Sequence, residues 1–417
     1  MNAIATTRTV LEAALDAGRD EQIAFLSRFL QCRSANPPGD TTSAAALITD
    51  FLTARGVPNR IESAFPHMPN VVGGFDGARP GRHLVMNGHI DVFPALDDNG
   101  WSGDIRDGRI YGRGAADMKA GTAASIFAYA YLHRLRAALC GRLSLTAVSD
   151  EQTGGRWGTR WLLETFPDQF TGDCLLNGEP SGLNNVRFME KGTLRLRITV
   201  RAPGGHGGYP HLSENPNKIM AHIIVALDRM HGRKPVLPKA VARALDTPEA
   251  IAATNTGMGE GAAEVARMIT MNPGLLRGGL KVNQIAHECV MELDIRIPMG
   301  FEREAILEDV TEILGHFPGA VWDVIEDHSY PPSMADPDGE MVRILQRNAE
   351  AVGGVCPIPL SSLGGSDSRY WRWRGVPAYL YGPSPVSMGR GDEHVTVEEY
   401  LHIVKVHTLS AFDYLTA

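Results

Sequence analysis

The chain has 417 residues, with 40 Lys and Arg against 48 Asp and Glu, a net charge of −8 at pH 7. Hydrophobic residues make up 43% and charged residues 21%, an ordinary globular composition too long for one simple core, so about two domains are expected. The acidic balance argues against nucleic acid or an anionic membrane as main partner, and no stretch approaches the roughly 18 apolar residues of a membrane span. The N-terminal MNAIATTRTVLEAAL has no secretory-type apolar run. Ile23, Phe25, Leu26, Phe29 and Leu30 recur at helical spacing, as do Leu47, Ile48, Phe51 and Leu52, with the turn SANPPGD (34–40) between them. HLVMNGHIDV (83–92) reads as a buried strand ending in a loop, and residues 117–136 as a long Ala-rich helix beginning at Asp117. LSLTAV (143–148) and CLLN (174–177) are further buried strands, so the first part is α/β with a mostly parallel sheet. After about residue 191 the texture changes. TLRLRITVRA (193–202) and CVMELDIRIP (289–298) alternate like half-exposed strands, residues 216–230 and 302–317 read as helices, and 250–280 is read as irregular. The α/β texture returns with 341–354 and 376–383. The expected architecture is an α/β catalytic domain (1–191 and 330–417), its mostly parallel sheet flanked by helices. An α+β, ferredoxin-like dimerisation or lid domain (192–329) is inserted into it.

Ligand-type side chains recur at the expected strand ends, where open α/β sheets place their sites. His89 and Asp91 form H-x-D, and i, i+2 spacing puts both on one side of an extended segment. The imidazole can bind a metal while the carboxylate orients the ring. Asp117 sits in GRGAADMKAG, Asp150 and Glu151 in SDEQTGG, Glu179 in LNGEPSG and His394 in GDEHVTVEE. Taken singly, each is what any hydrogen-bonded loop or solvated surface supplies. Together, imidazoles and carboxylates at the ends of several buried strands suit zinc or a similar ion, and two ions could share one carboxylate.

The runs NGHIDVFPA, GRGAADMKAG, SDEQTGG, NGEPSG, GGHGGYPHLSENP, GGSDSR and EHVTVEE, in this order over nearly the whole chain, resemble the di-zinc aminoacylase family. That family includes acetylornithine deacetylase, succinyl-diaminopimelate desuccinylase and the glutamate carboxypeptidases. The resemblance implies that His89 binds one metal with Asp91 holding its ring, and that Asp117 bridges two metals beside a cis peptide to Met118. It implies Glu151 as general base, Glu179 with His89 at the second metal and His394 at the first. The family has a carboxylate ligand where this chain has Gln152, a neutral and weaker donor, so one ion is expected to be held firmly and another loosely. Zinc is the implied metal, one or two per chain, with cobalt or manganese as substitutes. His206 matches a histidine that reaches into the partner subunit's site, which implies a homodimer. Arg296 and Asn283 match positions that grip a substrate carboxylate or carbonyl; a surface strand charge and a turn residue remain the plain alternatives. The turn Gly364-Gly365-Ser366 could present backbone N–H groups to substrate. Asp367 is expected to be structural.

The implied activity is hydrolysis of an amide in an N-acyl amino acid or small peptide. Five cysteines (Cys32, Cys140, Cys174, Cys289, Cys356) without a C-x-x-C pair suit a reducing, cytoplasmic setting. A serine hydrolase is disfavoured because G-x-S-x-G is missing, and His287-Glu288 does not continue into H-E-x-x-H. Two rivals stay open: an N-carbamoyl amino acid amidohydrolase, and a weakly active or non-catalytic metal-binding relative, the latter motivated by Gln152.

Overall fold

A computed structural model describes residues 3–417. Its central sheet has nine strands. The four in the middle, Cys140–Val148, Arg79–His89, Cys174–Asn177 and Ala378–Leu380, run parallel. Antiparallel neighbours extend the sheet at both edges, Asn70–Asp76 on one side and Asn185–Glu190 on the other. Period-2 alternation sends successive side chains to opposite faces. Leu84 and Met86 join the larger core, while Val85 between them joins a smaller one with Val72, Val148 and Leu175. The larger core is closed by the helices Arg19–Gln31, Lys119–Arg134, Glu340–Gly353 and Val397–Thr416, whose apolar stripes face the sheet. Leu162, Leu163, Phe170 and Trp371 cap the smaller one. Helices on both faces of a mostly parallel sheet are what the sequence predicts. The Ala-rich helix starts at Lys119, two residues later than expected, because 112–118 forms an irregular loop held by other contacts.

The segment Gly192–Arg201, Thr270–Gly278, Glu288–Ile297 and Ala320–Val324 forms a separate antiparallel sheet. With the helices Pro216–Leu227 and Arg303–Gly315 it gives the order βαββαβ, and in space the first strand lies between the third and fourth, a ferredoxin-like arrangement. It has its own core of Leu194, Ile198, Ile223, Met291, Ile295 and Val310. The stretch 250–280, expected to be irregular, contains the helix Pro248–Met258 and the strand Thr270–Gly278. Low apolar periodicity in a Gly/Ala-rich stretch hid both. The helices Lys239–Leu245 and Pro248–Met258 pack against the strand Ile358–Ser362, and Val241, Leu245 and Ala250 belong to the large core of the flanking segments. Part of the 192–329 segment therefore serves the sheet on which the site is built. No described helix is long and apolar enough to cross a membrane.

Candidate metal centre and active site

Three adjacent parallel strands bring three candidate side chains together. His89 ends Arg79–His89, Glu151 follows Cys140–Val148 and Glu179 follows Cys174–Asn177. A buried amide ladder sets their register just below. Asn177 Nδ2 donates to Asn87 Oδ1 (2.7 Å), Asn87 Nδ2 donates to Thr146 Oγ1 (3.1 Å), and the Glu179 N–H donates to Asn177 Oδ1 (2.7 Å). Gly178 lets the Glu179 turn press on the start of the helix Lys119–Arg134. A Cβ at Gly178 would sit 2.6 Å from the backbone of Gly121.

One ligand atom each from His89, Glu151 and Glu179 lies within 4.8 Å of the others. The His89 ring is fixed by its Nδ1, which donates to the Asp91 carbonyl at 2.7 Å. That leaves Nε2 facing Asp117 Oδ1 at 3.0 Å, Glu179 at 3.5 Å and Glu151 at 3.9 Å. A lone pair aimed at three carboxylates is untenable unless a cation, proton or metal, lies among them. The titration tendencies express the same crowding. Burial would lower the His89 pKa, but hydrogen bonds to Asp117, Asp91 and Glu179 raise it well above the usual histidine value. Burial and the Glu179 charge push Glu151 well up, and burial and Asp117 push Glu179 to about 7. Two carboxylates, an imidazole and the adjoining Asp117 are a hard-to-borderline donor set that fits a divalent ion such as zinc.

The Asp91 carboxylate lies 3.5 Å from His89 Nδ1, beside the ring it is expected to hold, and it also collects the base turn. Oδ1 accepts the Glu151 N–H (3.2 Å), and Oδ2 accepts the Gln152 N–H (3.0 Å) and Asn36 Nδ2 (2.9 Å). Asp117 precedes a cis peptide to Met118. Gln152 does not offer its amide oxygen to the cluster: its Nε2 donates to Asp117 Oδ2 at 3.1 Å. His394 lies outside the 4.8 Å group, on the strand His394–Thr396 beside Arg109–Tyr111. Its Nδ1 donates to the Asp392 carbonyl at 2.7 Å, which leaves Nε2 as the acceptor nitrogen.

Sequence reasoning passed over the neighbouring Glu393. This buried carboxylate accepts the N–H groups of Gly114 (3.1 Å), Ala116 (3.0 Å) and Asp117 (3.2 Å) on one oxygen and the Arg113 guanidinium on the other. It therefore holds the loop that aims Asp117. Asn36 and Arg369 were also missed. Asn36 bridges Asp91 and the Asp150 turn, and Arg369 stands 3.9 Å from Glu151. The quoted turn SANPPGD and the run GGSDSR contained both residues without indicating which side chain mattered. Asp367 is buried, accepts Thr159 Oγ1 at 2.7 Å and has its pKa raised to about 6 by burial.

Glu151, Glu179 and Asp117 line a cleft of about 1210 Å³ shared with Arg296 and Gly365. Arg296 Nε donates to Asp294 Oδ2 at 2.8 Å. A Cβ on Gly365 would collide with the Tyr330 hydroxyl. Asn283 and His206 meet elsewhere. The strand Gly205–His206 pairs with Gln284–Ile285, and the Gly207 N–H donates to the Asn283 carbonyl at 2.8 Å. Neither is among the described residues that line this cleft, and His206 is exposed.

An imidazole, clustered carboxylates and a buried acid of raised pKa at the carboxyl ends of parallel strands define a metallohydrolase of α/β architecture. The profile described as Peptidase family M20/M25/M40 matches residues 85–412, and the chain belongs to that family; it is a hydrolase of linear amide bonds. It is similar to succinyl-diaminopimelate desuccinylase of Xanthomonas euvesicatoria, 28% identical over 332 residues covering 76% of this chain and 79% of that protein. The enzyme of the same name from Rhodospirillum centenum is 29% identical over 339 residues, 78% and 80% of the two chains. Among solved structures, the fold is shared with the metallo-carboxypeptidase Sso-CP2 of Sulfolobus solfataricus (TM-score 0.80, 17% identity, 95% of this chain and 100% of that one). It is also shared with a dinuclear metal-binding peptidase of Bacillus subtilis (TM-score 0.66, 14% identity, 96% and 99%).

Proposed function

We propose that this chain hydrolyses the amide bond of an N-acyl amino acid or small peptide, a deacylase or desuccinylase-like reaction, with Glu151 as general base. The observation that carries this reading is the meeting of His89, Glu151 and Glu179 at three neighbouring strand ends in one cleft. His89, Asp117 and Glu179 would hold one divalent ion, and Asp117 and His394 a second, joined by Gln152 once its amide turns its oxygen inward. An ion bound there would lower the pKa of a water and polarise the amide carbonyl.

The chain's own residues do the rest. Glu151, mostly enclosed and pushed up in pKa, takes a proton from the attacking water and returns it to the leaving nitrogen. Asp91 holds the turn that presents Glu151, and Glu393 holds the loop that presents Asp117. Arg296 and the Gly364-Gly365 turn, both on the cleft wall, grip a carboxylate and the acyl portion of the substrate. His206 acts across a homodimer interface on the oxyanion, with Asn283 beside it on the inserted segment. The neutral Gln152, turned as a donor toward Asp117, leaves the second ion the weaker one. Zinc is the first choice of metal, with cobalt or manganese as substitutes, and the five free thiols suit a cytoplasmic enzyme.

The test is a hydrolysis screen with added Zn²⁺, Co²⁺ or Mn²⁺ against N-acetyl, N-succinyl and N-carbamoyl amino acids and dipeptides. Turnover of an N-acyl or peptide substrate supports the proposal. Turnover confined to N-carbamoyl substrates, or none with metal bound, overturns it.

A further inference from the structure

Four arginines are buried among the described residues, Arg113, Arg187, Arg369 and Arg372. Burying a guanidinium without a counter-charge is costly, and three of the four have one. Arg113 pairs with Glu393, Arg372 lies 3.2 Å from Glu190, and Arg369 lies 3.9 Å from Glu151. Arg187, only 1% exposed, has no carboxylate in ion-pair range among the described residues. Its Nη1 donates to the Ser361 carbonyl at 2.9 Å and its Nη2 to the Ser181 carbonyl at 3.2 Å. These contacts use two of five N–H donors and leave a full charge unbalanced. Burial accordingly pulls the Arg187 pKa down to about 10.

The position of this charge matters. Arg187 lines the same cleft as Glu151 and Glu179, and Ser181, which it holds, is two residues beyond Glu179. Facing it is Gly257. A Cβ there would lie 3.8 Å from Arg187 Nη2 and 3.5 Å from Asn185 Nδ2. The missing side chain at 257 keeps room in front of the guanidinium. Asn185 Oδ1, alongside, is buried with no partner.

We propose that Arg187 is a specificity-determining residue that receives a carboxylate of the substrate, additional to the one assigned to Arg296. The incoming carboxylate supplies the missing counter-charge through a charge-assisted hydrogen bond. The preferred substrates are then dicarboxylates, with the second carboxylate either at the far end of the acyl group or on the amino acid side chain. This inference rests on the amide-hydrolase reading of the cleft.

Gly257→Leu fills the space before Arg187 while leaving its two hydrogen bonds intact, and Arg187→Lys moves the charge. Kinetics are compared on two matched pairs, N-succinyl against N-butyryl on one amino acid, and N-acetylglutamate against N-acetylglutamine. Gly257→Leu is expected to lower kcat/KM roughly ten- to a hundredfold, mainly through KM, for the carboxylate-bearing member of one pair, while its uncharged partner changes less than about threefold. The pair affected identifies the source of the carboxylate. An equal loss for both members, or a loss for neither, overturns the proposal and leaves Arg187 as a staple between two carbonyls. If Arg187→Lys does not fold, Gly257→Leu decides alone. Calorimetric binding of glutarate to the metal-loaded protein keeps the two claims apart. Weaker binding by Gly257→Leu upholds the carboxylate site even if no amide is cleaved, and equal binding by parent and variant refutes it.

Discussion

Glu393→Gln tests how the site is held. In the native protein Glu393 is 3% exposed and Arg113 4%, so the pair is out of water. One carboxylate oxygen accepts three backbone N–H groups from the Asp117 loop, and the other accepts Arg113 and the Gly389 N–H. A glutamine has the same shape but only one acceptor oxygen. Its amide nitrogen must face either the guanidinium or three N–H donors, and Arg113 loses the buried carboxylate it pairs with. Removing one partner of such a pair costs about 3–5 kcal/mol, a large part of a typical total of about 5–15 kcal/mol. The Asp117 backbone is released at the same time. Loss of support behind a metal ligand lowers metal affinity roughly ten- to a hundredfold. Urea unfolding in the presence of chelator isolates the first effect from metal-linked stabilisation. Competition against a chromogenic chelator reads the second. The double variant Arg113→Met/Glu393→Leu should recover much of the lost stability, because no unpaired charge remains. A destabilisation under about 1 kcal/mol with unchanged metal affinity would refute the reasoning.

Other expectations bear on separate parts of the molecule. Gln152→Glu should tighten the second metal ion roughly ten- to a hundredfold, read by metal analysis of dialysed protein; an unchanged stoichiometry and affinity would show that Gln152 does not weaken that site. His407 is buried, its Nε2 donating to the Tyr381 carbonyl, and burial lowers its pKa from 6.5 to about 4. Above pH 6.5 it is neutral in both states and costs nothing. As pH falls from 6.5 to 4 the unfolded chain takes up the proton and the native state does not, so about 3 kcal/mol of stability is lost over that window. His407→Gln should flatten the pH dependence there, and an identical slope in parent and variant would contradict the assignment. His206→Ala should reduce turnover while folding and association persist, with sedimentation showing a dimer; full activity in the variant, or an active monomer, would remove the shared-site idea.

The residues legible in the sequence are those whose signal is local. His89, Glu151 and Glu179 each follow a short apolar strand, and parallel strands of one sheet bring their carboxyl ends together. Asp117 was legible because a glycine-rich loop precedes a helix. Gln152 was recognised by position, but its direction was not, since a carboxamide can present either end and the neighbouring Asp117 carboxylate selects the nitrogen. The i, i+2 spacing placed the Asp91 carboxylate beside the His89 ring, 3.5 Å from Nδ1, but said nothing of the N–H groups that the Glu151 turn, 60 residues on, brings within reach. Glu393 and Arg187 were invisible for a related reason. Glu393 acts across 276 to 280 residues of sequence, and Arg187 lies in a strand buried at every position, where no alternation marks a cleft-facing side chain. The docking of Lys239–Leu245 and Pro248–Met258 on the large core depends on the strand Ile358–Ser362, over a hundred residues away.

The most direct measurement is the rate of N-acyl amino acid hydrolysis by chelator-stripped protein as zinc is added back, for the parent and for Glu151→Gln. The account predicts that activity returns with the first equivalent of metal in the parent, and that Glu151→Gln takes up the same metal yet turns over about a hundredfold or more slowly. Activity that survives stripping, or a metal-loaded Glu151→Gln as fast as the parent, would contradict it.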